Sequence, residues 1–210
     1  MKKLSLIAAL SLFVLLSCDR TPGTLAPEEY GAWLADPDNG LYKSRKINGI
    51  TLDARFLPAE YQAYRSYRPE QGVPFDSVVQ SYKCGLAFQV TLQAEKSNVT
   101  YSDLMYYNVP DQQELSNRMR FLSFNIQEFI TLTSDSTTYE PVLSNFEGYN
   151  ALANKISFIV AFVLPEYHCG TFDSVREPLQ LTFQDPYWEM GTNHFSFEKK
   201  VIMNLPKLSR

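Results

Sequence analysis

The feature that most constrains the fold is a long alternation of apolar and polar side chains between residues 82 and 92. One phase carries Tyr82, Cys84, Leu86, Phe88, Val90 and Leu92. Successive side chains of a β-strand point to opposite faces, so this pattern predicts a strand with one face in a core. A second alternation, from Ile50 to Phe56, predicts another strand of the same kind. The chain must therefore build a sheet with a buried face.

Further strands and a few helices complete the predicted fold. The apolar pattern predicts strands at 126–133, 137–143, 156–164, 179–183 and 195–203, and short helices starting at 27 and over 58–67 and 110–122. The segment 156–164 is apolar on both phases, which is typical of a strand covered on both sides. About seven strands with two or three short peripheral helices predict a mainly β fold, either an antiparallel β-sandwich or an open barrel.

The first residues predict an export signal. Lys2 and Lys3 precede an apolar run over 4–16 that closes on Leu-Leu-Ser-Cys at 15–18. The run is too short to span a bilayer, which needs about 20 apolar residues. These closing residues resemble a bacterial lipoprotein precursor. The resemblance implies that residues 1–17 are removed and that lipidated Cys18 becomes the mature N-terminus. An ordinary secretory signal with an incidental Cys18 is the alternative.

The remaining chain divides simply. Residues 18–27 lack a periodic apolar pattern and predict a lipidated tether, and residues 28–210 predict a single β-rich globular domain. The membrane, reached through the N-terminal lipid, is then one partner, and another protein of the cell envelope is a second.

The charge balance argues against nucleic acid as a partner. The sequence has 19 Lys and Arg against 23 Asp and Glu, a net charge of −4. Loss of Lys2 and Lys3 with the signal makes the mature chain more acidic, and phosphate backbones repel such a surface.

A second, looser resemblance concerns location. Trp33-Leu34, Asp36-Pro37 and Asn39-Gly40-Leu41, followed by the strand that ends at Phe56 and Pro58, resemble small uncharacterised lipoproteins of Bacteroidetes-type Gram-negative bacteria. The resemblance implies a place in the cell envelope, with the outer membrane favoured over the inner membrane. It implies no chemistry.

Two cysteines follow Cys18 in the chain. Export places Cys84 and Cys169 in an oxidising compartment, where a disulfide between them would persist. The position of Cys84 on the apolar phase of a predicted strand favours instead a free, buried thiol. Both alternatives stay open at this point.

Catalytic and metal chemistry have few candidates. His168 and His194 are the only histidines. A cryptic hydrolase could use His168 with a serine such as Ser174, but the sequence has no Gly-x-Ser-x-Gly elbow. Glu166, His168 and Cys169 lie close together, yet no zinc-binding spacing is present. We therefore expect no metal, no cofactor and no enzymatic activity.

Tyr187 and Trp188 are the candidate ligand-binding residues. Aromatic side chains in a loop favour binding of a glycan or a peptide. The flanking carboxylates Asp185 and Glu189 could form a glycosidase pair, although a β-turn around a packed tryptophan explains them equally well. The leading expectation is a lipid-anchored structural or interaction module of the cell envelope, with a glycan- or peptide-binding lipoprotein as the alternative.

Overall fold

A computed structural model describes residues 23–95, 97–98 and 100–209 of the chain. The predicted signal, Cys18 and the first part of the predicted tether lie outside these residues. Within them the fold is mainly β, with eleven strands in three sheets. No helix in the described part of the chain is long and apolar enough to cross a membrane.

The larger sheet has five strands in the order β2-β3-β4-β8-β7, and each neighbouring pair is antiparallel. These strands are β2 Tyr42–Ile47, β3 Ile50–Leu57, β4 Leu86–Ala94, β7 Leu143–Asn150 and β8 Lys155–Phe162. Asn48 and Gly49 join β2 to β3 with φ of 51° and 82°. Two left-handed residues make the type of tight turn that matches the twist of a hairpin.

The smaller sheet has four strands in the order β10-β9-β5-β6, also antiparallel throughout. They are β5 Ile130–Ser134, β6 Thr137–Tyr139, β9 Leu179–Gln184 and β10 Thr192–Phe197. Asp135 and Ser136 form the turn of the predicted hairpin between β5 and β6, because Ser134 pairs with Thr137.

The core lies between the two sheets. The predicted apolar phase of β3, from Ile50 to Phe56, is buried, as are Phe88 of β4 and Phe197 of β10. The rings of Phe88 and Phe197 lie 5.0 Å apart between centroids and join the two sheets. The prediction of a mainly β, sandwich-like fold is confirmed, and the described strands form no closed barrel.

Five α-helices of the described residues surround the sheets, more than the two or three predicted. They are α1 Pro27–Ala35, α2 Ala59–Ser66, α3 Phe75–Lys83, α4 Gln112–Phe124 and α5 Lys199–Met203. The start of α1 fits the predicted signals: Pro27 occupies the first turn, and the Glu29 carboxylate accepts a hydrogen bond from the Ala26 N–H at 3.1 Å. Helix α3 was not predicted.

Four predicted strands have the wrong bounds. The strand predicted over 137–143 ends at Tyr139 as β6, and Leu143 already starts β7. Tyr82 lies in α3 and Cys84 ends that helix, so β4 begins only at Leu86. Residues 126–129 form a 3-10 helix before β5. The strand predicted over 195–203 ends at Phe197, because Lys199 starts α5.

The chain joins the domain earlier than the predicted tether allows. The first strand, β1 Thr24–Leu25, pairs in parallel with the last, β11 Lys207–Leu208. Residues 24–27 therefore belong to the folded domain, and both ends of the described chain lie side by side.

Candidate functional site

Trp188 is part of the core. Its side chain is 0% exposed. The indole Nε1 donates a hydrogen bond to the Leu104 carbonyl at 2.8 Å, and the Trp188 carbonyl accepts one from the Tyr101 hydroxyl at 3.0 Å. Burial raises the pKa of Tyr101 to about 12, and a hydrogen bond with Tyr107 adds to the effect. A ligand has no access to the Trp188 ring, which argues against its expected role.

Tyr187 is half-buried and supports a buried cation. The guanidinium of Arg118 lies 4.4 Å from the centre of the Tyr187 ring, and Phe121 packs edge-on against the same ring. Arg118 is only 3% exposed and donates from Nη1 to the carbonyls of Met105 and Tyr107, at 3.1 and 2.6 Å. Burial lowers the pKa of Arg118 and raises that of Tyr187. The ring therefore stabilises the attachment of α4 to the 100–109 loop.

Asp185 organises its own loop rather than pairing with Glu189 around a substrate. Its two carboxylate oxygens accept three backbone hydrogen bonds, from the N–H groups of Tyr187 and Trp188 at 2.9 Å and of Met190 at 2.6 Å. Glu189 accepts a hydrogen bond from the Tyr107 hydroxyl at 2.9 Å. Both carboxylates thus accept hydrogen bonds from the protein itself, and the geometry supports the β-turn explanation.

Both histidines lie on the surface and contact different partners. His168 Nε2 is 2.9 Å from a carboxylate oxygen of Asp173, and the two side chains are 61% and 63% exposed. Ser174, the nucleophile considered for a hydrolase, accepts instead from the N–H of Arg176 at 3.4 Å. His194 lies on the outer face of β10 and shares a hydrogen bond with Thr182. This arrangement gives the His168 hydrolase hypothesis no support.

Cys84 and Cys169 form a disulfide across a sequence separation of 85 residues. It ties the end of α3 to the loop that follows β8. The free, buried thiol considered for Cys84 does not occur. Its sulfur is bonded to Cys169, and the residue is an exposed cap at the end of α3. With both sulfurs bonded, they are not available to zinc, and no group of three or more metal-ligating acidic, His or Cys side chains occurs among the described residues.

The outer face of the four-stranded sheet has an unusual composition. Its side chains alternate with the buried ones and carry only hydroxyl, amide or imidazole groups. We call this set the neutral face: Thr131, Thr133, Thr138, Gln180, Thr182, Gln184, Thr192, His194 and Ser196. Charged residues make up 20% of the chain, so nine positions of average composition would include about two. These nine include none.

Hydrogen bonds between strands hold this face in place. The hydroxyls of Thr133 and Thr138 lie 3.1 Å apart, and the Thr182 hydroxyl lies 2.9 Å from His194 Nδ1. Threonine is branched at Cβ, so its χ1 has few alternatives on a strand. The polar groups are therefore preorganised, and a partner would lose little entropy in ordering them.

A cavity of about 460 Å³ lies at the hairpin end of the neutral face. Its lining combines residues of the face with two carboxylates from the flanking loops: Thr133, Asp135, Ser136, Glu177, Pro178, Gln180 and Ser196. Asp135 has φ of 50° in the β5–β6 turn. The cavity is open and polar, and it offers both hydrogen-bond donors and acceptors.

A buried lysine supports the Asp135 side of this cavity. The Lys199 side chain is 0% exposed, and its Nζ lies 3.3 Å from a carboxylate oxygen of Asp135, which is 49% exposed. The same ammonium lies 5.4 Å from the centre of the Phe172 ring. A buried ammonium needs a partner, so the ion pair fixes the Asp135 carboxylate at the rim of the cavity.

The outer face of the five-stranded sheet provides a contrast within the same molecule. It carries charges of both signs, including Asp53, Arg55 and Lys155. Arg65 of α2 forms an ion pair with Glu147 at 2.8 Å beside a smaller depression of about 330 Å³. The absence of charge is therefore a property of one sheet and not of every strand in the chain.

Sequence reasoning missed the neutral face although part of the signal was readable. Gln180 and Thr182 fall on the polar phase of the strand predicted over 179–183, and His194 continues the polar phase just before the strand predicted over 195–203. The polar positions of β9 and β10 contain no Lys, Arg, Asp or Glu, and this composition was readable from the sequence as well as the periodicity. The cavity could not have been found in this way, because Asp135 and Glu177 come together only when β5 pairs with β9.

Comparisons with known proteins assign no function. No protein-family model matches the chain, and no curated protein matches its sequence. Among solved structures, a protein of unknown function from Burkholderia pseudomallei is similar, with 15% identity and a TM-score of 0.35. The match covers 87% of this chain and 94% of that one.

Proposed function

We propose that this chain is a lipid-anchored protein of the cell envelope, favouring the outer membrane, that serves as a structural or interaction module without catalytic activity. The anchor would be Cys18, which lies outside the described residues. The domain would present a sheet face to its partner.

The position of β1 supports a domain held close to such an anchor. Thr24 is already paired with Lys207, so only residues 19–23 separate Cys18 from the folded domain. A fully extended chain spans at most about 3.6 Å per residue, which limits the distance to roughly 22 Å. The β1–β11 end of the domain would then lie next to the membrane.

The observation that carries the interaction role is the neutral face. Six of its nine residues are exposed, and the other three are half-buried. A rigid, open sheet face with its hydrogen-bonding groups already ordered suits recognition of a partner better than a reaction, which needs perturbed acids, bases or nucleophiles.

Two measurements on the native protein test this proposal. Metabolic labelling with an alkyne-tagged palmitate should mark the wild-type chain and fail to mark Cys18→Ala. Crosslinking in intact cells, followed by purification and mass spectrometry, should recover a stoichiometric envelope partner with the wild type and lose it with Cys18→Ala. An unlabelled wild-type chain would refute the anchor, and recovery of neither a protein nor a glycan partner would refute the interaction role.

The same face also favours the second candidate, a ligand-binding lipoprotein. A cavity of about 460 Å³ bordered by Asp135 and Glu177 is large enough for a small polar group. Ligand binding at this place would not involve Tyr187 or Trp188.

A further inference from the structure

We infer that the neutral face and its cavity form a binding site for an uncharged polysaccharide. This inference rests on the proposed interaction role and specifies the chemistry of the partner. Three features carry it: the lack of charge on the strands, the lack of apolar surface, and the carboxylates at the cavity.

The composition of the neutral face excludes most other classes of partner. A protein interface usually has an apolar or aromatic centre, and the outward positions of β5, β6, β9 and β10 contain no apolar side chain. Nucleic acids and anionic lipid headgroups are bound by Lys and Arg clusters, and none of the nine positions is Lys or Arg. The partner that matches in charge is one that is itself neutral and rich in hydrogen-bonding groups.

A polysaccharide meets these requirements. Each sugar hydroxyl can both donate and accept, and the hydroxyls of Thr and Ser can also do both. Side-chain amides add fixed donors and acceptors at Gln180 and Gln184, which are both exposed. Because the strands of a sheet lie about 4.8 Å apart, these groups repeat on the scale of one sugar residue.

The cavity would hold one sugar of the chain. Hydrogen bonds to an ionised acceptor are stronger than those between neutral groups, so the Asp135 and Glu177 carboxylates would be the main acceptors for sugar hydroxyls. Lys199 holds Asp135 in place from the interior. Gln180 and Ser196 connect the cavity to the rest of the neutral face.

A retention experiment on the full chain, purified in detergent from its own membrane, tests this inference. The probes are immobilised dextran, laminarin and galactomannan, with dextran sulfate as the charged counterpart of dextran. We expect retention on at least one neutral polysaccharide and none on dextran sulfate at the same ionic strength. Retention on dextran sulfate alone, or on no neutral probe, would overturn the inference.

Two substitutions, each with a matched control on the other sheet, locate the site. Gln180→Lys places a charge on the neutral face and should abolish retention on the neutral probe, whereas Gln93→Lys, an exposed strand glutamine of β4, should not change it. Thr182→Val removes one hydroxyl at nearly constant shape and should weaken binding roughly three- to tenfold, the value of one hydrogen bond. Thr51→Val is its control. Equal effects of a variant and its control would overturn the location.

The outcome also separates this inference from the proposed function. A crosslinked protein partner that Gln180→Lys still captures, together with no retention on neutral polysaccharides, would refute the inference and leave the interaction role intact. The absence of a crosslinked protein partner together with the absence of retention on neutral polysaccharides would refute both the inference and the interaction role. Thermal melting of each variant checks that its fold is unchanged.

Discussion

Replacing Trp188 distinguishes a core residue from a ligand-binding one. If the ring contacted a ligand, Trp188→Ala would leave the domain stable and remove binding. The structure predicts the opposite, because the side chain is 0% exposed and its Nε1 donates to the Leu104 carbonyl. The main expected effect is therefore on the free energy of unfolding.

The size of this effect follows from two terms. Truncation of a buried Trp to Ala costs about 3–5 kcal/mol in lost burial and cavity formation. The Leu104 carbonyl, left without its donor in the interior, adds about 1–3 kcal/mol. The sum is a large share of the roughly 5–15 kcal/mol that stabilise a typical domain. Trp188→Phe keeps most of the apolar contact and should cost mainly the second term.

Urea unfolding followed by far-UV circular dichroism measures both variants. With a slope of about 2 kcal/mol per molar urea, Trp188→Ala should lower the midpoint by roughly 2 M or more, and Trp188→Phe by about 1 M. Tyr106→Ala is the surface control, since Tyr106 is 55% exposed, and its midpoint should stay within about 0.3 M of the wild type.

Fluorescence adds an independent check, because Trp33 is the only other tryptophan. Trp188→Phe should remove the component of the emission that comes from a buried indole. A midpoint shift for Trp188→Ala no larger than that of the surface control would refute the placement of Trp188 in the core.

Three further perturbations have defined outcomes. Replacing Cys84 and Cys169 together by serine should lower the free energy of unfolding by about 4 kcal/mol, since the bridge closes a loop of 85 residues; reduction of the wild type should give the same shift in melting temperature. Asp185→Ala removes the acceptor of three backbone N–H groups and should cost about 2–4 kcal/mol in urea unfolding, and a loss below 0.5 kcal/mol would contradict the loop geometry. The pKa of Tyr101 is raised to about 12, above the value of about 10 expected in the unfolded chain. The stability that depends on the neutral Tyr101 hydroxyl is therefore complete below about pH 10 and is lost as the pH rises towards 12. The urea midpoint should fall over this range in the wild type and fall less steeply in Tyr101→Phe.

The predictable part of the fold was the part that local periodicity determines. The alternation from Ile50 to Phe56 matches β3 because one face of that strand packs against the core and the other does not. The helix predicted over 110–122 is also present as α4, with Asp111 accepting a hydrogen bond from the Glu114 N–H at its start. Within α4, however, Arg118 is buried and Met119 is 49% exposed, the reverse of what their hydrophobicity predicts.

The errors share a physical cause, which is tertiary contact overriding local pattern. Arg118 is buried because Tyr187 and two carbonyls of the 100–109 loop solvate its charge, and these groups are distant in sequence. Lys199 likewise depends on Asp135 across the fold. Tyr82 and Cys84 continue the alternation of β4 by chance of composition, but the disulfide to Cys169 and the end of α3 determine their conformation.

The candidate site was less predictable than the fold. Tyr187 and Trp188 are predicted to bind a ligand because aromatic residues are common in binding sites, yet a large ring is equally suited to filling a core. The neutral face carries no residue that stands out singly. The lack of charge becomes apparent only when all nine positions are considered together. The strand order is needed for this, because it shows that the polar sides of β5, β6, β9 and β10 form one surface.

The parallel pairing of β1 with β11 has a consequence for the order in which the domain can assemble. Thr24 leaves a ribosome or a translocation channel before almost all of the domain, and its partner Lys207 leaves after it. Loop closure over such a separation is entropically unfavourable until the sheets between have formed. This end of the sandwich must therefore close last, and removal of a few residues from 207 onward would leave β1 without its pairing strand while the two large sheets keep theirs.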